Sequence, residues 1–294
     1  MKRGVDLKIF SLFNRPFLKP AWTFTAPGII WRLFPAKSGE LLGESRDQQK
    51  KQVSFFALNS ATGLPLWQDL VLDEQWWIGI EEVSDGVLFL HKFSSPDMPA
   101  HRGIIAIDLA TGKPLWSNEE LTFWFAHQGA IFAHKMMFEK RIAFELDVRS
   151  GEVRRQIEEG SEPSLFEKRE EVVGANQVGL EFPQMVDFDR IDQVISGIIT
   201  RETGGGSKVA ALEYLQSNKF LLMNYHVRSK ESTGETLLLD NHLKVLDMES
   251  GRLLYTDTIS RNSPAAVPDS FYVRTGMVYY VKEQKTLTAV KLLQ

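Results

Sequence analysis

Two stretches of the sequence decide the fold: residues 104–116 read IIAIDLATGKPLW, and residues 55–67 read FFALNSATGLPLW. Both consist of an apolar run, an Asp or Asn, two residues, Thr-Gly, three residues and a Trp. An Asp or Asn side chain can accept hydrogen bonds from backbone N–H groups about two residues further on. A glycine supplies the positive φ that a tight hairpin needs. The pattern therefore predicts a buried strand, a tight turn and a returning strand whose Trp packs between neighbouring units.

Three weaker copies of the turn follow, at residues 147–151, 200–204 and 247–251. Arg155 and Tyr255 stand at the Trp position after the first and the last of these copies. The copies recur at intervals of about 40 to 50 residues, which suits roughly four short strands per unit. We therefore predict an all-β chain that forms a β-propeller of four-stranded antiparallel blades, with strands A to D in each blade.

The last unit offers only three strands, and residues 19–22 (KPAW) repeat the KPLW of residues 113–116. We expect residues 19–26 to complete the last blade, so that an N-terminal strand closes the ring and removes an exposed sheet edge. Counted in this way, the chain has six blades, with five or seven as alternatives, and the unit over about 156–208 has the weakest repeat. The predicted organisation is an N-terminal extension over residues 1–18 and a single β-propeller domain over residues 19–294.

Composition excludes several classes of function. The chain of 294 residues has a net charge of −4 and so lacks the basic excess with which nucleic-acid binders neutralise phosphates. Cysteine is absent, which excludes disulfides, thiolate metal sites and cysteine nucleophiles. No uncharged apolar run reaches the roughly 18 residues of a membrane span, and Asp6 and Lys8 interrupt the only stretch placed like an export signal. We expect a cytoplasmic protein without a membrane span or a nucleic-acid partner, and its oligomeric state is left open.

The Ala-x-Asp-x-x-Thr-Gly-x-x-x-Trp pattern of residues 106–116, with Asn59 replacing the Asp at 57–67, resembles the repeat of quinoprotein-type (PQQ-like) β-propellers. The resemblance covers most of residues 19–294 and implies the fold rather than the function, because one fold hosts many activities. The quinone-dependent dehydrogenases of that superfamily use adjacent cysteines beside the quinone, and its envelope assembly proteins are exported. The chain looks closer to a bacterial branch of the superfamily without a characterised activity, and the prediction is that it has no cofactor.

Candidate ligand- or partner-binding residues lie where two repeats carry the same residues. His91-Lys92 and His134-Lys135 each follow a strand glycine at the same distance. Both pairs would lie near the end of strand B on one face, as a cationic pair for an anionic ligand. The alternative is that the repeats share these residues through common ancestry alone.

Aromatic residues at the start of several A strands form a second group of candidates. They are Trp76, Trp77 and Trp124, with Trp31 and Tyr272 in equivalent places. An aromatic channel mouth could stack on a ligand, and the alternative is packing between blades.

Histidines and carboxylates give no recognisable catalytic or metal-ligand spacing in the sequence. The histidines considered are His91, His101, His127 and His134. Carboxylates such as Glu81 and Glu82 could pair in space, but their separation cannot be read from the sequence. We therefore predict no catalytic residues and no metal site.

Two functions from different classes remain. The one we favour is a non-catalytic β-propeller that binds a ligand, or a protein or peptide partner, at the face carrying the D–A and B–C loops. It rests on the lack of a catalytic constellation and on three polar segments predicted as B–C loops, at residues 43–52, 93–103 and 228–236. The alternative is a hydrolase or lyase that acts on a carbohydrate-like substrate at the axial channel mouth. A carboxylate and a histidine clustered there would favour it.

Overall fold

The computed structural model describes residues 17–95, 98–138, 140–158, 160–176, 178–204 and 209–292. The chain divides into two compact units. The central unit spans Ala26–Val178, and the terminal unit joins the residues up to Thr25 to those from Gly179 onward. Residues 1–16, most of the predicted extension, lie outside the described residues. Neither described helix is long and apolar enough to cross a membrane.

The central unit contains twelve strands and one helix, which follow strand β1 (Pro20–Thr25) in the chain. The strands are β2 (Ile29–Pro35), β3 (Glu40–Asp47), β4 (Gln52–Asn59), β5 (Pro65–Leu70), β6 (Ile78–Ser84), β7 (Val87–Ser95), β8 (Met98–Asp108), β9 (Pro114–Asn118), β10 (Thr122–His127), β11 (Ala130–Met137), β12 (Lys140–Asp147) and β13 (Val153–Gln156). The helix is α1 (Glu162–Asn176).

The strands of the central unit form three antiparallel groups of four, in chain order: β2 to β5, β6 to β9 and β10 to β13. One parallel pair, Thr122 with Gly103, joins the second group to the third. Each group has the predicted order of strands A to D, so that β2, β6 and β10 are the A strands. The prediction of an all-β chain of antiparallel sheets is confirmed.

The terminal unit contains β1, a helix and nine further strands. In chain order they are β14 (Leu180–Glu181), β15 (Gln184–Met185), α2 (Gln193–Thr203), β16 (Val209–Ser217), β17 (Phe220–Arg228), β18 (Leu239–Asp247), β19 (Leu253–Ser263), β20 (Phe271–Arg274), β21 (Met277–Lys282) and β22 (Thr286–Lys291). One sheet has the order β15-β16-β17-β18-β19, and the other has the order β1-β22-β21-β20-β14.

The N-terminal strand completes the last sheet, as expected. Strand β1 pairs antiparallel with β22, with Trp22 opposite Ala289 and Thr25 opposite Thr286. The described residues thus contain five groups of at least four strands. Closure of these sheets into one ring, the number of blades and the single domain over residues 19–294 stay predictions.

Turn chemistry explains why the repeated residue types recur. Four hairpins share one register, which pairs Ala57 with Trp67, Ala106 with Trp116, Glu145 with Arg155 and Val245 with Tyr255. In each turn the Asp or Asn Oδ1 accepts a backbone N–H two or three residues further on. The four turn glycines have φ between 65° and 72°, a region in which side-chain-bearing residues are strained. The predicted roles of the Asp or Asn and of the glycine are both confirmed.

The two repeat tryptophans pack on the turn of the following group of strands. Trp67 Nε1 donates to the carbonyl of Leu109 at 2.7 Å, and Trp116 Nε1 donates to the carbonyl of Val148 at 3.2 Å. A Cβ added to Gly151 would lie 2.5 Å from the Trp116 ring. The glycine therefore serves both the turn and the close approach of the indole, which confirms the predicted packing between units.

Two cores of the central unit lie between consecutive groups of strands. One cluster combines Leu42 and Phe55 from the first group of strands with Ile80 and Leu88 from the second. A second cluster combines Phe89 from the second group with Ile131 from the third. Burial of these side chains, at about 1.5–3 kcal/mol each, provides most of the driving force for sheet packing.

The predicted hairpin at residues 200–204 is wrong. Residues 193–203 form α2, and Gly204 ends this helix with φ 71°. A glycine with left-handed backbone conformation can end a helix as well as close a hairpin. A Thr-Gly pair is therefore compatible with either structure. The described residues of the segment predicted to form a fourth blade, 156–208, contain α1, α2 and the two-residue strands β14 and β15, which pair in two different sheets.

Candidate functional site

Each A strand of the central unit has a β-bulge that takes one residue out of the regular pairing. The pairing skips Trp31 in β2, Glu81 in β6 and Trp124 in β10. Bulges redirect side chains and are frequent next to functional sites. The middle group of strands therefore holds a carboxylate at the position where its two neighbours hold a Trp.

Glu81 lies beside two histidines from the adjoining strands, and we call Glu81, His91 and His101 the histidine cluster. Glu81 Oε1 is 2.6 Å from Nδ1 of His101 and 3.2 Å from Nδ1 of His91. The two imidazole rings stack at 3.6 Å between centroids, with 7° between their planes. One ligand atom of each residue lies within 4.8 Å of the other two. Strands β6, β7 and β8 supply one residue each, so a single sheet positions the cluster.

The cluster runs from the protein interior to the surface. His91 is 2% exposed, whereas 38% of the His101 side chain is exposed. Neither ring nitrogen of His91 makes a hydrogen bond of acceptable geometry to a described residue, although Nδ1 lies close to Glu81. A buried polar atom without a hydrogen bond costs about 1–3 kcal/mol and requires an explanation.

The carboxylate of the cluster is ionised at neutral pH. Burial raises the pKa of Glu81, but the hydrogen bond with His101 and the nearby imidazole of His91 outweigh it and lower the pKa to about 2. The carboxylate is thus available as a hydrogen-bond acceptor or as a ligand for a cation.

Gly79 makes room for the His91 ring. A Cβ at position 79 would lie 3.0 Å from Cε1 and 3.1 Å from Nε2 of His91. The same point lies 3.3 Å from Oε2 of Glu44, a buried carboxylate that pairs with Arg46. The carboxylate of Glu44 therefore also lies near Gly79, beside the His91 ring.

Beside the cluster, Arg46 packs against Trp31 and Trp76, and Trp77 follows Trp76 in the chain. We call Trp31, Trp76 and Trp77 the tryptophan surface. The guanidinium carbon of Arg46 is 5.7 Å from the Trp31 ring centroid and 5.2 Å from that of Trp76, distances at which a cation is attracted to a ring face. Arg46 also donates to the backbone carbonyls of Trp76 and Ile78. Trp31 and Trp77 are exposed, whereas Trp76 is half-buried and packs against the core.

His134 and Trp124 lie together, apart from the histidine cluster. Their ring centroids are 6.0 Å apart, and Phe166 of α1 lies 5.2 Å from the Trp124 ring. Burial, with the nearby charge of Arg141, lowers the pKa of His134. The helix thus covers Trp124, which was predicted to line a channel mouth.

The two predicted lysines each lie near a carboxylate. Lys92 Nζ is 2.7 Å from Glu119, and Lys135 Nζ is 3.7 Å from Glu120. Both carboxylates would compete with an anionic ligand for these lysines. The anion-binding role predicted for His91, Lys92, His134 and Lys135 remains a prediction.

Sequence reasoning named His91, Trp76 and Trp77 as site residues but did not place Glu81 and His101 with His91. The available signal was a hairpin in which two histidines ten residues apart lie on paired strands. The predicted B–C loops also need correction: residues 43–47 and 93–95 continue strands β3 and β7, and residues 98–103 belong to β8. Of the three segments, 228–236 is mostly loop, between β17 and β18.

The comparisons with known proteins give one family match. The model of a domain of unknown function (DUF4905) matches residues 35–116. The matched segment is less than a third of the chain, and it includes both strong repeats and all three residues of the histidine cluster. It gives no support specific to quinoproteins. No curated protein matches the chain.

Similar solved structures include enzymes and a propeller. A europium-containing methanol dehydrogenase is 10% identical at a TM-score of 0.32, over 91% of this chain and 52% of that chain. A Dos1 propeller is 9% identical at a TM-score of 0.31, over 89% of this chain and 68% of that chain. An exo-β-1,3-galactanase from Phanerochaete chrysosporium is 8% identical at a TM-score of 0.27, over 91% of this chain and 64% of that chain. The chain spans about half the length of the dehydrogenase, and TM-scores this low carry no argument about function.

Proposed function

We propose that this chain is a non-catalytic β-propeller that binds a protein or peptide partner through the tryptophan surface of its central unit. The observation that carries the proposal is the exposure of two tryptophans on that surface, 66% for Trp31 and 37% for Trp77. Large aromatic side chains lose much apolar area to a partner and are enriched among the residues that dominate binding energy. A cytoplasmic location belongs to the proposal and rests on the sequence alone.

The propeller part of the proposal is supported by the contacts among A strands. Arg32 of β2 donates to the carbonyl of Ile80 in β6 at 2.5 Å, and β6 also contacts β10. Sheets that radiate from an axis bring their first strands together in this way. The cores between consecutive sheets, described above, favour the same arrangement.

The binding part is supported by the way in which Trp31 and Trp76 are held. Arg46 has only 11% of its side chain exposed and is fixed by Glu44 and by two backbone carbonyls. Because it packs against Trp31 and Trp76, it limits the orientations of these rings. A surface that is ordered before binding loses less conformational entropy when a partner docks.

Photo-crosslinking tests the proposal. Trp31 and Trp77 are each replaced by p-benzoylphenylalanine in the full chain, in cells that produce the protein. Leu64, which is 67% exposed at the β4–β5 turn, is the matched control. We expect one shared crosslinked product from positions 31 and 77 that is absent from position 64. No product from either tryptophan position, or the same product from all three, contradicts the proposal.

The histidine cluster does place a carboxylate beside histidines, the combination expected to favour a carbohydrate-directed hydrolase or lyase at a channel mouth, but that alternative is not favoured. Most glycoside hydrolases use two carboxylates that flank the scissile bond. The histidine cluster has one, and the nearby Glu44 is held by Arg46 at 2.5 Å. The side chains of the histidine cluster are instead of the kinds that commonly bind metal ions.

A further inference from the structure

We infer that Glu81, His91 and His101 form a binding site for a divalent transition-metal ion such as Zn²⁺. The inference concerns the histidine cluster and does not depend on partner binding at the tryptophan surface.

The donor set suits such an ion. Two imidazole nitrogens and one carboxylate oxygen are ligands that Zn²⁺ and other first-row divalent ions accept in proteins. Ligand atoms about 2.0–2.2 Å from a common ion are roughly 3–3.5 Å from one another. Glu81 Oε1 lies 2.6 Å and 3.2 Å from the two Nδ1 atoms, so these two separations are already close to those of a metal site.

The burial of His91 is a second, independent observation. This imidazole is 2% exposed and has no well-formed hydrogen bond from either nitrogen among the described residues. A buried imidazole nitrogen without a hydrogen bond has a desolvation cost, which coordination of an ion through Nδ1 would offset. Nε2 of His91 and Oε2 of Glu44 lie 3.1 Å and 3.3 Å from the same point beside Gly79, and ligating histidines commonly direct their second nitrogen to a carboxylate.

The exposure of His101 indicates which ring moves. Parallel stacked imidazoles direct their in-plane lone pairs side by side, so two such rings cannot both aim at one ion. His91 is enclosed, whereas 38% of the His101 side chain is exposed. His101 is therefore the ligand that rotates on binding. Its exposed side leaves a coordination position for water or a small ligand, as in sites with three protein ligands.

The test uses the full chain after treatment with a chelator, with Zn²⁺ alone in calorimetry and Co²⁺ alone in absorption spectroscopy. Because the chain has no cysteine, thiolates cannot contribute to the Co²⁺ spectrum. We expect a single equivalent of either ion to bind. Glu81→Gln and His101→Ala should each weaken Zn²⁺ affinity at least about tenfold. Loss of a group that only hydrogen-bonds to a metal ligand already weakens affinity by about that factor.

Two matched controls separate the cluster from unspecific binding. Glu82→Gln removes the neighbouring carboxylate on β6, and His127→Ala removes a histidine of β10 outside the cluster. Both should retain the affinity of the parent chain. Far-UV circular dichroism identifies a variant that fails to fold, and His101→Ala, at a partly exposed position, is the variant least prone to do so. No Zn²⁺ binding, or an equal affinity in the cluster and control variants, overturns the inference.

Discussion

Replacing Gly151 by alanine should destabilise the central unit more than the same change at Gly129. The two glycines have almost the same backbone conformation, φ 72° and φ 73°. They differ in their surroundings. A Cβ at position 129 would meet no atom within 4 Å, whereas a Cβ at position 151 would lie 2.5 Å from Cδ2 of Trp116.

The expected loss of unfolding free energy has two contributions, one from backbone conformation and one from the contact with Trp116. The left-handed conformation costs a residue with a side chain about 1–2 kcal/mol, and this term is common to both variants. The contact with Trp116 adds an overpacking cost of about 1–3 kcal/mol, because the indole must move from a packed position. The free energy of unfolding should therefore fall by about 1–2 kcal/mol in Gly129→Ala and by about 2–5 kcal/mol in Gly151→Ala.

Urea denaturation followed by circular dichroism measures both changes in one unit, since both glycines belong to the central unit. The midpoints are compared at a common m-value. Trp116→Leu in the background of Gly151→Ala should remove the extra cost, so that the two substitutions are strongly coupled. Equal destabilisation at positions 129 and 151, within about 0.5 kcal/mol, would refute the packing of Trp on turn glycine as the reason for the repeat.

Three further predictions concern hydrogen bonds and pH. Trp67→Phe removes the Nε1 bond to the carbonyl of Leu109 and should cost about 1–3 kcal/mol of unfolding free energy in urea denaturation, because a partner is left unsatisfied; an unchanged midpoint would contradict this. Tyr280→Phe removes a buried hydroxyl that lies 2.6 Å from Asp257. It should lower the melting temperature, whereas a rise would show that burying this hydroxyl costs more than its bonds return. Asp147 has its pKa lowered from 3.8 to about 2, mainly by the backbone N–H of Ser150 and by Arg154. Because this folded-state pKa lies below the unfolded one, the stabilisation is present above pH 3.8 and is lost as the pH falls towards 2. Asp147→Asn should lack this pH dependence, and parallel stability curves for the two proteins over that range would count against it.

The local chemistry of the hairpins could be predicted from the sequence. Asp108, Gly112 and Trp116 act within one turn and its returning strand, so their spacing alone indicates the Oδ1 bonds and the positive φ. The pairing of β1 with β22 could also be predicted, because residues 19–22 repeat a strand D segment. These inferences rest on residue types that have one favoured local role.

The helix that ends at Gly204 could not be predicted in this way. Thr203 and Gly204 are the same pair of residue types as in the hairpin turns, and a left-handed glycine suits both structures. Packing decides between them: Ile195, Ile198 and Ile199 form a buried face of α2 against the β17 residues Leu221 and Met223. Such contacts between distant segments cannot be inferred from the residues of the turn itself.

A turn depends on neighbouring residues in the chain, so the strand–turn–strand repeat can be recognised from residue order. The histidine cluster depends on the register between strands, so it is established only when the strands pair. A bulge between Leu90 and Lys92 changes the pairing of β7 with β8 by one residue. A one-residue change moves a side chain to the opposite face of a sheet, and it is this shift that places His101 on the same face as His91.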